Sequence, residues 1–275
     1  MEFHYNKYVE VLPMKKVLFT LVVLVLLATF GVSAFMVGNY LIDGKKQANR
    51  YDELSEIASN GQTETKKPEE TTEGTEETEG PTEPGMLSGY KEIYEMNDHV
   101  VGWIKMEGTQ MDYPVMQTPD DPNYYLYRNF DKADSARGSV YAWSTANIEE
   151  PSDNITLFGH NMADGSMFAC LNDYTSKTAW ENNSLIFFDT LYEYHTYKIF
   201  AVFKTSANVG QGFSYHQFVD AETEAEFNDF VSTCKKLSFY DTGITPAYGD
   251  KLICLSTCEY TLDNGRLVVC AVRIT

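Results

Sequence analysis

The chain has 275 residues, 43% of them hydrophobic and 14% aromatic, with a formal net charge of −19. That is enough for one sizeable core, but residues 87–275 alone carry a net −13, which excludes a nucleic-acid binder that must meet phosphates with basic side chains. The five cysteines (Cys170, Cys234, Cys254, Cys258, Cys270) are odd in number and form no CxxC pair, which argues against a disulfide framework or a structural zinc site.

Residues 1–16, ending in Lys15-Lys16, are read as a short cytoplasmic stub, and residues 17–42 contain no charged side chain. A bilayer core needs about 20 consecutive apolar residues in a helix, so this stretch is read as a transmembrane signal anchor. The competing reading is a cleaved signal peptide, for which Val32-Ser33-Ala34 would be the cleavage site. The anchor is preferred because the apolar run continues past that site. A short stub before a first span suggests the N-terminus inside and the remainder outside.

Residues 43–86 follow as a polar connection. Within it, 44–58 read as a short polar helix. Residues 59–86 are dominated by Thr, Glu, Gly and Pro and read as a disordered spacer, because they cannot bury enough apolar surface to offset their ordering entropy. The globular domain is expected over 87–275. It opens with a short helix over 88–97, with Tyr90, Ile93 and Tyr94 on one face. Eight short apolar runs follow, VVGWIKM, MDYPVM, GSVYAW, ITLFGH, SLIFFD, YKIFAVFKT, KLICLST and RLVVCAV. Runs of this length between turn residues predict an all-β barrel or sandwich. Between the sixth and seventh, residues 221–237 place Phe227, Phe230, Val231, Cys234 and Leu237 at helical spacing.

Candidate chemistry lies at strand ends. Cys258 closes the strand Lys251–Thr257, and His160 follows the strand of Thr156-Leu157-Phe158. Arg266 begins the last strand. If the reversal after Cys258 spans all of 259–265, Arg266 lies beside the thiol. A tight hairpin on Asn264-Gly265, itself a strong turn signal, would instead set Arg266 opposite Asp263. A thiol nucleophile needs a neighbouring imidazole or cation, and acyl transfer needs a proton donor and a positive group for the oxyanion. The other four cysteines are read as small apolar packing residues. His4, His99, His195 and His216 have no partner at motif spacing and are read as structural or surface groups. Trp103, Trp143 and Trp180 are assigned to packing, and Glu222, Glu224 and Glu226 to a solvated helix face.

The blocks TLFGHN (156–161), LSTCEY (255–260) and GRLVVCAV (265–272) resemble the signature blocks TLxGH, TLxTC and a downstream Arg of the sortases, the Gram-positive cell-surface transpeptidases. VGWIKMEGT (102–110), DYPVMQ (112–117), YYLYRNF (124–130) and the GSV strand start at 138–140 are similar to further sortase segments. The extra helix before the cysteine strand, the helical N-terminal extension and the anchor resemble class B, most nearly clostridial enzymes. The resemblance implies a closed eight-stranded mixed β-barrel with N-terminal helices. It implies Cys258 as nucleophile, His160 as proton donor and acceptor, and Arg266 holding substrate and oxyanion. Ser256, Glu259 and Leu126 match groove-lining positions, and Ser206 and Tyr215 are candidates in a segment that does not align.

The implied reaction is attack of the Cys258 thiolate on a Thr carbonyl in an LPxTG- or NPxTx-like C-terminal sorting signal of a secreted protein. A thioacyl-enzyme then passes to an amine of a cell-wall peptidoglycan precursor or a pilin lysine, with no cofactor. The implied location is the cell membrane, with the catalytic domain outside. A calcium site, as in some class A sortases, would need a carboxylate cluster that the sequence does not show. Two alternatives stand beside this reading: a Cys-His peptidase hydrolysing the same signal, and a non-catalytic surface-binding module.

Overall fold

A computed structural model describes residues 14–65 and 85–275. Residues 1–13 of the expected stub and residues 66–84 of the expected spacer lie outside the described residues. The chain divides into two compact units, one ending at Lys46 and the other comprising Gln47–Thr275.

Helix α1 runs from Met14 to Thr65. Its window of mean hydropathy 2.6 is long and apolar enough to cross a membrane, and none of that window is buried. The expected 17–42 anchor lies inside this helix. Residues 44–58, expected as a short polar helix, are helical within α1, but from residue 47 they do more than connect. Tyr51, Leu54 and Ala58 recur at three- and four-residue steps and, with Gln47, are buried within the second unit, to which they belong. Full burial of Leu54 contributes about 2 kcal/mol. The folded unit therefore takes in residues well before Leu87, and residues 59–65, expected as spacer, continue the helix. Helix α2, Ser88–Met96, packs with Tyr90 and Ile93 buried, while Tyr94, expected on the same face, is exposed.

All eight apolar runs are strands: β1 (Val100–Lys105), β2 (Asp112–Met116), β3 (Val140–Ala142), β4 (Asn154–Phe158), β5 (Leu185–Thr190), β6 (Thr196–Ser206), β7 (Leu252–Glu259) and β8 (Gly265–Arg273). They close into a barrel in the order β1-β2-β3-β4-β7-β8-β6-β5. The barrel is mixed, because β2–β3 and β4–β7 pair in parallel and the other neighbours are antiparallel. A short helix α3, Lys177–Asn182, precedes β5.

Strand periodicity divides β7 and β8 between two cores. Ile253, Leu255, Leu267, Val269 and Ala271 point into the barrel and join its main core. Cys254, Val268, Cys270 and Val272 point outward into a second cluster beneath α4, Glu224–Leu237. Helix α4 buries Phe227, Phe230, Val231 and Cys234, as the spacing predicts. It starts three residues later than expected, because Thr223 is extended and caps it by accepting from Glu226 N at 3.3 Å. The Glu226 carboxylate in turn accepts from Glu222 N at 2.9 Å, a close variant of the capping box.

The outward positions of β7 and β8 continue past this second core. Ser256, Cys258 and Arg266 keep the parity of Cys254 and Cys270, so they emerge on the outer face at the barrel rim.

Candidate active site

The parallel pair β4–β7 is in register with Phe158 opposite Ser256. The chain runs two residues past each of these, to His160 just beyond the end of β4 and to Cys258 within β7, so both arrive at the same rim. The register is locked by Gly159 N donating to Ser256 O at 3.1 Å and Thr257 Oγ1 donating to Gly159 O at 2.7 Å. Asn161 Nδ2 donates to Cys258 O at 2.9 Å. The histidine loop and the cysteine strand are thus tied on both sides of the two side chains.

His160 Nε2 lies 2.7 Å from Leu126 O. A carbonyl only accepts, so Nε2 carries the hydrogen and Nδ1 is the acceptor in the neutral ring. Tyr127 packs on the imidazole at 5.6 Å between ring centroids.

Arg266 pairs directly with Cys258 across β7–β8, and Glu259 pairs with Gly265. The reversal is the open loop 260–264, not a tight hairpin on Asn264-Gly265. Asn264 supplies a positive φ of 49°, a conformation that asparagine tolerates. The Arg266 guanidinium is half-buried and donates to Asn264 O, Asn264 Oδ1 and Gly265 O at 2.9–3.3 Å.

Glu259 explains why the loop stays open, and its position departs from expectation. By strand parity it points to the opposite face from Cys258 and does not line the groove. Its carboxylate accepts from Lys204 Nζ of β6 at 2.8 Å and from Thr261 N and Leu262 N at 2.9 and 3.1 Å. Burial works against the charge, but the Lys204 ammonium and the loop hydrogen bonds outweigh it and bring the carboxyl down to about 2 from an ordinary 4.5. A depressed carboxyl pKa contributes stability that is present above the unfolded value and lost as pH falls through the folded one. Thermal stability is therefore expected to fall as pH drops from 4.5 to about 2. Glu259→Gln should lower stability by about 2 kcal/mol at pH 7 and flatten that acid limb. An unchanged acid limb in melts of the variant would remove Glu259 as its source.

A groove of about 560 Å³ contains Cys258, His160 and Arg266 together with Leu126 and Ser256. Ser206 and Tyr215 also line it. Ser256 is 1% exposed and its hydroxyl lies 2.5 Å from Tyr215 Oη, so its direct role is to bind the groove wall.

The groove also has residues that sequence reasoning assigned elsewhere. His216 lines it, edge-on to Trp143 at 5.1 Å and to Tyr215 at 5.4 Å between ring centroids. Burial, and then the charge of Arg266, hold its pKa below the usual histidine value. Trp143, expected as packing, lines the groove too, as does Tyr141, whose phenol is pushed up to about 12 by burial. No spacing signal marks these residues, because β3 and the β6–β7 connection meet only in the folded barrel. Trp103 is buried as expected. Cys234 on the inner face of α4 and Cys254 and Cys270 beneath it are buried, with Cys254 and Cys270 Sγ 2.8 Å apart as free thiols. Among the described residues no cluster of His, Cys, Asp and Glu could hold a metal ion.

The sortase domain family matches residues 104–274. The chain belongs to the sortase family. It is 30% identical over 181 residues to sortase B of Listeria monocytogenes, covering 65% of this chain and 71% of that protein. It is 28% identical over 184 residues to sortase B of Staphylococcus aureus, covering 66% and 73%. Among solved structures, an S. aureus sortase B–substrate complex covers 85% of this chain and 99% of its own, with a TM-score of 0.72 at 24% identity. A sortase B complexed with triglycine covers 84% and 99%, with a TM-score of 0.71 at 24% identity. A Bacillus anthracis protein similar to sortase B covers 81% and 92%, with a TM-score of 0.66 at 28% identity. These likenesses make the chain a class B sortase, a cysteine transpeptidase.

Proposed function

We propose that this sortase cleaves a C-terminal sorting signal of LPxTG or NPxTx type with Cys258 as nucleophile, His160 as acid and base, and Arg266 as oxyanion and substrate clamp. The observation that carries this reading is the β7–β8 register, which pairs Cys258 with Arg266 on the groove side while β4 delivers His160 to the same rim. The Cys258 thiolate attacks the Thr carbonyl. The tetrahedral oxyanion is held by the Arg266 fork, and collapse expels the peptide amine, which takes its proton from the His160 imidazolium. The resulting thioester is attacked by an incoming amine, whose proton returns to His160, and the C–S bond breaks to release the new amide and regenerate the Cys258 thiolate. No electron transfer occurs and every proton is returned.

The acceptor is an amine of a cell-wall peptidoglycan precursor, with a pilin lysine as the other amine of suitable chemistry. Complexes of the related enzymes with a substrate and with triglycine support a peptide signal and an amine acceptor. The apolar part of α1 supports anchoring of the enzyme in the cell membrane; in this reading the barrel lies on the outer side, where a secreted substrate is met.

The test is product analysis by mass spectrometry on the full-length enzyme in detergent, with sorting-signal peptides and with or without triglycine. The expected result is a peptide–triglycine conjugate that forms only when the amine is present. Cleavage to the free Thr acid at the same rate in both reactions, with no conjugate, would make the enzyme a hydrolase of this signal.

A further inference from the structure

We propose that Gln47 and Tyr51, on the helix that precedes the barrel, are positioning residues for His160. The inference rests on the reading of His160 as the acid and base of the reaction.

Gln47 is 5% exposed, yet it sits on a helix where a polar side chain would ordinarily face water. All of its amide chemistry is directed at one loop of the barrel and at Tyr51. Its Nε2 donates to Gly138 O at 2.6 Å and to Tyr51 Oη at 3.0 Å, and its Oε1 accepts from Ser135 Oγ at 2.8 Å. Tyr51, also 5% exposed, donates onward to Ser139 Oγ at 3.2 Å, and Ser139 Oγ donates to Arg128 O at 3.0 Å. A buried network of this kind is stable only if every member is satisfied. The loop 135–139 is therefore held by the helix as much as by its own strand.

That loop is the backing of the imidazole. Gly138 has a φ of +55°, and a Cβ there would lie 2.3 Å from Leu126 O and 2.6 Å from Tyr125 O. The loop thus presses directly on the carbonyl that His160 Nε2 uses as its acceptor at 2.7 Å. Ser139 N also donates to Tyr125 O at 3.0 Å, and Ser135 N to Tyr127 O at 2.9 Å. The whole 125–127 segment is pinned to residues that Gln47 and Tyr51 hold.

A second route reaches the other side of the histidine loop. The Tyr51 ring packs on Tyr113 at 5.1 Å between centroids. Tyr113 Oη accepts from Met167 N at 3.1 Å, and the neighbouring Phe168 N donates to His160 O at 2.9 Å. The helix thereby supports the acceptor of the imidazole and the backbone of the histidine itself. Small displacements at this distance from the chemistry lower kcat because catalytic geometry is steep in position.

The test uses the full-length enzyme in detergent, with peptide kinetics and the ¹⁵N spectrum of labelled histidine, in which His160→Gln identifies the His160 signals. Gln47→Glu keeps the volume and the acceptor but removes the donor to Gly138 O. Tyr51→Phe removes only a hydroxyl and is the variant to rely on if Gln47→Glu does not fold. Ser55→Ala, on the same helix, removes the bond to Asp112 Oδ2, which is not a groove residue, and controls for loosened docking. The expected result is a kcat about tenfold lower in Gln47→Glu and Tyr51→Phe, with KM within about twofold, and a His160 Nε2 signal shifted from its hydrogen-bonded position. Ser55→Ala should retain both kcat and signal. An unchanged kcat and His160 signal in the Gln47 and Tyr51 variants overturns the proposal, as does an equal loss in Ser55→Ala without a signal shift. Full turnover in His160→Gln would instead overturn the catalytic reading of His160, while the signal shift would still report the positioning.

Discussion

Cys258→Ala is expected to abolish both cleavage and amine conjugation of a sorting-signal peptide, by about four orders of magnitude or more, while the thermal transition is retained. The side chain is half-buried at a strand end on the groove wall, so truncation removes few packing contacts. The other thiols provide an internal comparison. Burial pushes the Cys170 thiol up to about 11 and raises Cys254 and Cys270 as well. None of these offers much thiolate near neutral pH. Brief alkylation of the native enzyme at pH 7 should therefore label Cys258 first and remove activity in proportion, as read by peptide mapping. Persistence of peptide turnover in Cys258→Ala would end the assignment of chemistry to this thiol.

Arg266→Ala should lower kcat by about two to three orders of magnitude, the scale for removing one oxyanion donor, and Arg266→Lys should recover little of it. Lysine has a single point charge where arginine has a planar fork of donors, and here part of that fork already braces the Asn264-Gly265 backbone. The Ala variant leaves that backbone without its donors, so the peptide KM should rise as the groove edge loosens. Steady-state kinetics on both variants decide the matter. A kcat within about threefold of the parent in Arg266→Ala would remove the guanidinium from the transition state.

The two predictions rest on features of different legibility. Cys258 at the end of an apolar run and His160 at the end of another could be read locally, because strand periodicity and the turn residues after it are properties of a few adjacent residues. The eight strands and the buried face of α4 were legible for the same reason. The closed order of the barrel was not. Its two parallel pairings, β2–β3 and β4–β7, join segments distant in sequence, and it is β4–β7 that carries His160 to Cys258.

Arg266 shows where local information stops. Asn264-Gly265 fits a tight hairpin and an open loop equally well, and the two registers place the guanidinium in different positions. The open loop is held by the Glu259 carboxylate, which is itself held by Lys204 from β6, a contact between residues 55 positions apart. Gln47, Tyr51 and Leu54 look like members of a polar connector until the barrel supplies the loop and core that bury them. His216 and Trp143 carry no signal until β3 and the β6–β7 connection meet at the groove. The sequence by itself determined the elements and the candidate thiol and imidazole, because hydrophobic period and strand ends are local. Only the tertiary structure decided register, facing and support, because these depend on hydrogen bonds and packing between segments that the chain order keeps apart.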